Sequence, residues 1–183
     1  MMLGLDQLST EQKDCLKRIR LVIFDVDGTL TDGSVVHSDQ GELQSFCVHD
    51  GQGLAWLKRF GIQVCWVTGR GCEATKRRAD ELGIVELHAK SGPKAVVLLG
   101  IQERLGISKA ATLSMGDDLP DLELAKESAF FAAPQSARKE VCARADWVTE
   151  ATAGKGAARE LAELLLQAQG HWAELIGDYG SAT

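Results

Sequence analysis

Short apolar runs alternating with helix-length segments constrain the fold of this chain more than any other feature. Residues 21–26 read Leu-Val-Ile-Phe-Asp-Val, apolar up to their aspartate, and Gly28 breaks the run. A strand with one wet face alternates polar and apolar residues, so an unbroken run belongs to a strand covered on both sides. Comparable runs recur at 62–67, 85–89, 112–115 and 129–132, with a shorter one at Trp147 and Val148. Segments 51–60, 72–82, 93–105, 119–127, 137–143 and 156–167 combine helix-forming composition with apolar residues at helical spacing. Alternating strand and helix predicts an α/β fold, a Rossmann-like three-layer α/β/α sandwich around a parallel sheet.

One segment departs from this rhythm. Residues 34–48 carry β-formers on both sides of Asp39-Gln40-Gly41, which predicts a β-hairpin directly after the aspartates of the first strand. Residues 1–18, with Leu5, Leu8 and Leu16 at weak helical spacing, are expected to form a helical lead-in. A single domain is expected over 19–169, with 170–183 as a frayed C-terminal tail.

Composition narrows the function classes. A formal charge of -6 argues against a general nucleic-acid binder, whose affinity needs clustered Lys and Arg. No apolar run approaches a membrane span. Cys15, Cys47, Cys65, Cys72 and Cys142 are odd in number and contain no CxxC pair, which predicts reduced thiols and a cytoplasmic protein.

In an open parallel sheet, ligands bind beyond the carboxyl ends of the strands. Here those ends are Asp25-Val26-Asp27-Gly28-Thr29, Thr68-Gly69-Arg70 and Gly116-Asp117-Asp118 with Asp121 following, and Lys94 opens the helix after the third strand. One Asp-x-Asp-Gly alone is an ordinary turn sequence. Matched polar strand ends are a site. Three carboxylates and an oxygen-rich loop suit Mg²⁺, a hard cation, while Thr68 and Lys94 can hold phosphoryl oxygens.

With these motifs the chain resembles the haloacid dehalogenase superfamily over roughly residues 20–167. The resemblance implies a phosphatase in which Asp25 is the nucleophile and Asp27 the general acid and then base. It makes Asp25, Asp27 and Asp117 the metal-site residues, Asp118 and Asp121 their supporting acids, and Thr68, Gly69 and Lys94 the phosphate-binding group. Lys90 competes with Lys94 for that last role. His37, His49, His88 and His171 share no metal-ligand spacing and are expected to be structural.

The intervals from Asp27 to Thr68 and on to Asp117 are filled by the hairpin and by regular strand-helix units, so no cap domain is expected. Among capless members the chain is most similar to the 3-deoxy-D-manno-octulosonate 8-phosphate (KDO 8-phosphate) phosphatases, through Asp-Val-Asp-Gly-Thr-Leu-Thr-Asp-Gly, the hairpin, His49-Asp50-Gly51-Gln52-Gly53, Val-Thr-Gly-Arg and Gly154-Lys155-Gly156-Ala157. That similarity implies a homotetramer joined through its hairpins, a small phosphorylated sugar acid as substrate, and a step in lipopolysaccharide precursor synthesis. Arg70, whose guanidinium can grip a carboxylate, and Lys155, at a helix start, are the candidate substrate contacts. Relatives acting on nine-carbon sugar-acid phosphates tend to carry Glu where this chain has Arg70, so Arg70 favours the octulosonate. A phosphoacceptor receiver module and a catalytically silent oligomeric scaffold are the competing non-enzyme readings. The first lacks Asp-x-Asp-Gly-Thr on its first strand. The second has no reason to keep Asp25, Asp27 and Asp117.

Overall fold

The computed structural model describes residues 4–39, 41–90 and 92–180. After a 3-10 turn at Leu5–Gln7, helix α1 (Thr10–Lys17) starts on a capping box in which Ser9 and Gln12 satisfy each other's backbone amides. The chain then enters β1 (Leu21–Phe24), the short hairpin strands β2 (Val36–Ser38) and β3 (Gly41–Leu43), α2 (Val48–Arg59) and β4 (Gln63–Thr68). It continues through α3 (Glu73–Glu81), β5 (Glu86–Ala89), α4 (Lys94–Leu105), β6 (Thr112–Met115), α5 (Leu122–Lys126), β7 (Phe130–Ala133), α6 (Lys139–Cys142), β8 (Trp147–Val148), α7 (Ala157–Ala168) and α8 (Trp172–Gly180).

Six strands form one parallel sheet in the order β5-β4-β1-β6-β7-β8. Side chains alternate across it as strand geometry requires. Val22 and Phe24 face a core shared with α1, α2 and α7, whereas Leu21 and Ile23 face Leu98 and Ile101 of α4 and Leu124 of α5. Both faces of β1 are therefore dry, which is why its sequence is unbroken in apolar residues. The chain leaves β1 for β4 on one side and later fills β6 on the other, so the sheet's switch point lies at β1, and the carboxyl end of that strand opens into the crevice.

The predicted strands and helices are present, with shifts of a residue or two at their ends. Three larger differences have physical causes. Val48, expected in the hairpin, begins α2 instead. Gly51 and Gly53 stand in the first turns of that helix, where glycine is usually disfavoured. They are accommodated by packing: a Cβ on Gly53 would stand 3.1 Å from Ala162 of α7, and one on Gly51 would meet the Arg78 guanidinium. The paired part of the hairpin is correspondingly short, and its Gln40 lies outside the described residues. The segment expected as one helix at 119–127 is a 3-10 turn, Leu119–Asp121, running into α5, and Asp118 caps it.

The third difference is the tail, which does not fray over Trp172–Gly180. It forms α8, with Leu175 buried, Trp172 edge-on to Trp56, the Trp56 indole N–H donating to the Tyr179 hydroxyl, and Asp178 paired with Arg59. Residues 181–183, including Ser181, lie outside the described residues.

Candidate active site

The predicted strand ends converge. Asp25 follows β1 directly and is buried, and its backbone amide donates to the Met115 carbonyl of β6, which fixes the nucleophile candidate against the neighbouring strand. Thr68 closes β4, Asp117 follows β6 by one residue, and Lys94 is the first residue of α4. Lys94 Nζ donates to Asp25 Oδ1 at 2.6 Å and to Asp121 Oδ1 at 2.5 Å, with only 11% of its side chain exposed. That contact selects Lys94 over Lys90 as the lysine of the site. Lys90 lies instead beside Arg70 in a left-handed conformation (φ 53°), where a β-carbon is strained.

Oxygens of Asp25, Asp117 and Asp121 lie within 4.8 Å of one another. Asp121 is more engaged than its supporting role suggested: one oxygen pairs with Lys94, and the other accepts from the backbone amides of Asp117 and Asp118. It thus orders the acidic loop and the lysine together. Asp118 caps the following turn through the Leu119 amide. Thr29, quoted in the motif but given no role by the sequence, donates its hydroxyl to Asp117 Oδ1 at 3.1 Å. Gly28 (φ 96°) lets these groups meet, since a Cβ there would fall 2.3 Å from Asp117 Oδ2.

Three acids packed this closely repel one another. Burial above all, then the charge of Asp121, pushes the Asp25 carboxyl up to about 8 despite the opposing Lys94. Burial, again joined by Asp121, raises Asp117 to about 6. Burial alone would lower Lys94, but Asp25 and Asp121 outweigh it and hold its ammonium above the ordinary lysine range. A site that raises its own carboxylates this way has surplus negative charge and an all-oxygen donor set, which suits a hard divalent cation.

Asp27 has other partners. Its Oδ2 accepts from the Thr68 hydroxyl at 2.7 Å and its Oδ1 from Gln44 Nε2 at 2.8 Å, so its carboxylate is not among the three that converge. The expectation that Asp27 belongs with Asp25 and Asp117 at the metal is therefore not carried by its carboxylate, which Gln44 and Thr68 engage instead. Arg70 stands at the mouth: its guanidinium is 3.8 Å from Asp27 Oδ1 and pairs with Glu42 of β3 at 2.9 Å. Arg70 and Glu42 line, with Gly69, Gly71, Cys72 and Lys90, an open cleft of about 420 Å³.

Lys155 is not part of this group. It lines a separate cleft with His49, Arg159 and Glu160, and the helix amides expected to serve an anion there are already taken, Gly156 N and Arg159 N by the buried Asp50. His88 hydrogen-bonds Glu86, consistent with a structural role. Sequence reasoning missed Glu42, Gln44 and Thr75. The available signal was alternation: Glu42 and Gln44 flank Leu43, so both fall on one face of the hairpin, opposite an exposed leucine.

A central parallel sheet with this lysine and aspartate arrangement at its switch point defines a haloacid dehalogenase-like hydrolase, and the sequence model of that family matches residues 79–161. The KDO 8-phosphate phosphatase of Salmonella typhi is 36% identical over 171 residues, covering 93% of this chain and 91% of the relative. The crystal structure of the enzyme from Moraxella catarrhalis, in complex with magnesium ion, phosphate ion and KDO, superimposes with a TM-score of 0.89 at 37% identity, covering 92% of this chain and 98% of that one. A cobalt-bound form from Haemophilus influenzae gives 0.87 at 33%, over 92% and 99%. The chain belongs to the KDO 8-phosphate phosphatase family of haloacid dehalogenase-like hydrolases.

Proposed function

We propose that this chain is a Mg²⁺-dependent phosphatase that hydrolyses KDO 8-phosphate to KDO and inorganic phosphate through an aspartyl-phosphate intermediate. The observation that carries this reading is Lys94 bridging Asp25 and Asp121 in a buried acidic group that also holds Asp117, at the carboxyl ends of adjacent strands. Asp25 and Asp117 would hold the cation, with Asp27 contributing from the same loop; bound there, Mg²⁺ supplies positive charge to the transferring phosphoryl group. The catalytic unit comprises residues 19–169.

Asp25 forms the new bond to phosphorus while the bond to the sugar oxygen breaks, and Asp27 passes its proton to that leaving oxygen. Asp27 then takes a proton from water, whose oxygen attacks phosphorus and releases phosphate and free Asp25. Lys94, Thr68 and the Gly69 backbone orient the phosphoryl oxygens, and Lys94 offsets the charge that builds on them. Arg70 supports a carboxylated substrate, because it is a bidentate donor half exposed at the cleft beside Asp27. Release of phosphate from KDO 8-phosphate and from a nine-carbon sugar-acid 9-phosphate, measured side by side with Mg²⁺, tests the assignment. The eight-carbon substrate is expected to have the higher kcat/KM, and preference for the other would reassign the enzyme.

We further propose a homotetramer assembled through the hairpin, in which Val36 and Leu43 are exposed on strands of only three residues. A short ribbon with apolar side chains in water needs a cover. Light scattering coupled to size exclusion is expected to give four times the chain mass for the intact protein and a smaller species after deletion of residues 36–46; an intact protein at monomer mass would end this proposal. A cytoplasmic location, supplying lipopolysaccharide precursor synthesis, fits five unpaired thiols and the absence, among the described residues, of any helix long and apolar enough to cross a membrane.

A further inference from the structure

We propose that Gln44, on the inner face of the hairpin, is the residue that positions Asp27 for proton transfer, and that Thr75 of α3 sets the direction of its amide. The inference rests on the reading of Asp27 as the acid and base of the phosphatase and adds a residue to that machinery.

The geometry is a relay of three side chains. Thr75, fully buried, donates its hydroxyl to Gln44 Oε1 at 2.6 Å, and the Cys72 thiol donates to the same oxygen at 3.2 Å. An amide has one acceptor end and one donor end, so two donors on Oε1 turn Nε2 the other way. Nε2 then donates to Asp27 Oδ1 at 2.8 Å. The second carboxylate oxygen, Oδ2, is met by the Thr68 hydroxyl at 2.7 Å, whose oxygen in turn accepts the Arg70 backbone amide. Asp27 is therefore gripped from two sides, by the strand end at Thr68 and by the hairpin at Gln44.

The two grips differ in kind. Thr68 belongs to the sheet, whereas Gln44 reaches the site from a flap of three-residue strands whose opposite face is exposed. The neutral amide fixes the carboxyl plane from the hairpin side, through the same Oδ1 that the Arg70 guanidinium approaches at 3.8 Å. The hydrogen bonds of the Gln44 side chain go to Asp27, Thr75 and Cys72, so its effect on the reaction runs through Asp27.

Leaving-group dependence separates this role from a merely structural one. A sugar alkoxide must be protonated as it departs, whereas p-nitrophenolate is stable as an anion and needs no proton. The value of kcat/KM covers steps up to departure of the leaving group, so it reports that proton directly. With Gln44→Ala, kcat/KM for KDO 8-phosphate is expected to fall by about 10-fold or more, and for p-nitrophenyl phosphate by less than about 3-fold. Thr75→Val, which keeps the shape and removes only the hydroxyl that aims the amide, is expected to give the same bias with a smaller fall. Both are to be measured with the intact chain and Mg²⁺, alongside thermal midpoints to confirm folding. Equal falls on the two substrates, or unchanged values in both variants, would overturn the proposal. Failure of the wild-type protein to release phosphate from either substrate would instead strike the functional reading on which it rests.

Discussion

Asp25→Asn is expected to abolish phosphate release, with kcat reduced by at least about 10³-fold, equivalent to roughly 4 kcal/mol of transition-state stabilisation. The amide keeps the size of the side chain and can still meet Lys94, so folding should be retained. What it loses is the negative oxygen that attacks phosphorus. The variant also carries one carboxylate fewer in a group whose members repel one another, so its metal-free form is expected to be at least as stable as the wild type near neutral pH. Loss of turnover with an unchanged or higher thermal midpoint is the signature of a nucleophile; loss of both together would indicate a structural aspartate. Steady-state rates and a thermal melt on the same preparation make the distinction.

Lys94→Met is expected to have the second largest effect, a fall in kcat of about 10²-fold or more, because a positive donor aimed at the transferring phosphoryl group disappears from a buried site. It should also change the response to pH. In the folded wild-type chain without metal, Asp25 titrates near 8 and Asp117 near 6, against an ordinary value of 3.8. Between those limits the folded chain binds more protons than the unfolded chain, so its stability falls as pH rises from about 4 towards 8. Lys94 opposes this rise. Without it Asp25 stays protonated to still higher pH, which extends the loss of stability upward and leaves less ionised nucleophile at neutrality. Metal binding needs the same carboxylates deprotonated, so Mg²⁺ should raise the thermal midpoint more at pH 8 than at pH 5. Melts across that range, with and without Mg²⁺, check this; a Lys94→Met protein with wild-type kcat and an unaltered pH response would contradict it.

Much of the site was legible in the sequence because a parallel sheet imposes a rule on it. Once 21–26 is read as a doubly covered strand, the residues just past its end must lie in the crevice, and Asp25, Thr68, Lys94 and Asp117 follow from the same rule applied to each strand-helix unit. What sequence could not supply was pairing within the crevice. Asp121 looked like a neighbour of Asp117, and only the loop conformation shows it tying Lys94 to two backbone amides. The hairpin's position after β1 was legible, but its inward residues were not, since Glu42 and Gln44 are unremarkable polar residues until the flap folds over Arg70 and Asp27. The surroundings of Lys155 were hidden for a similar reason. A helix start offers amides to an anion, and the protein's own Asp50, more than a hundred residues earlier, already occupies them.

The tail shows a local signal that was present but outweighed. Trp172, Leu175, Ile176 and Tyr179 follow helical spacing, while Gly177 and Gly180 argue against a helix. Tertiary contacts decide it. Trp56, at the inner face of α2, receives Trp172 and Tyr179, and Arg59 pairs with Asp178, so α8 is held along α2 by side chains remote in sequence.

The central claim is that phosphate passes through Asp25. Its most direct test is to quench turnover of KDO 8-phosphate within the first cycle, reduce the protein with borohydride, which converts an aspartyl phosphate to homoserine, and locate the product by peptide mass spectrometry. Homoserine at position 25 and nowhere else is the expected result. Robust turnover with no homoserine at that position, or with the product on another aspartate, would contradict the account.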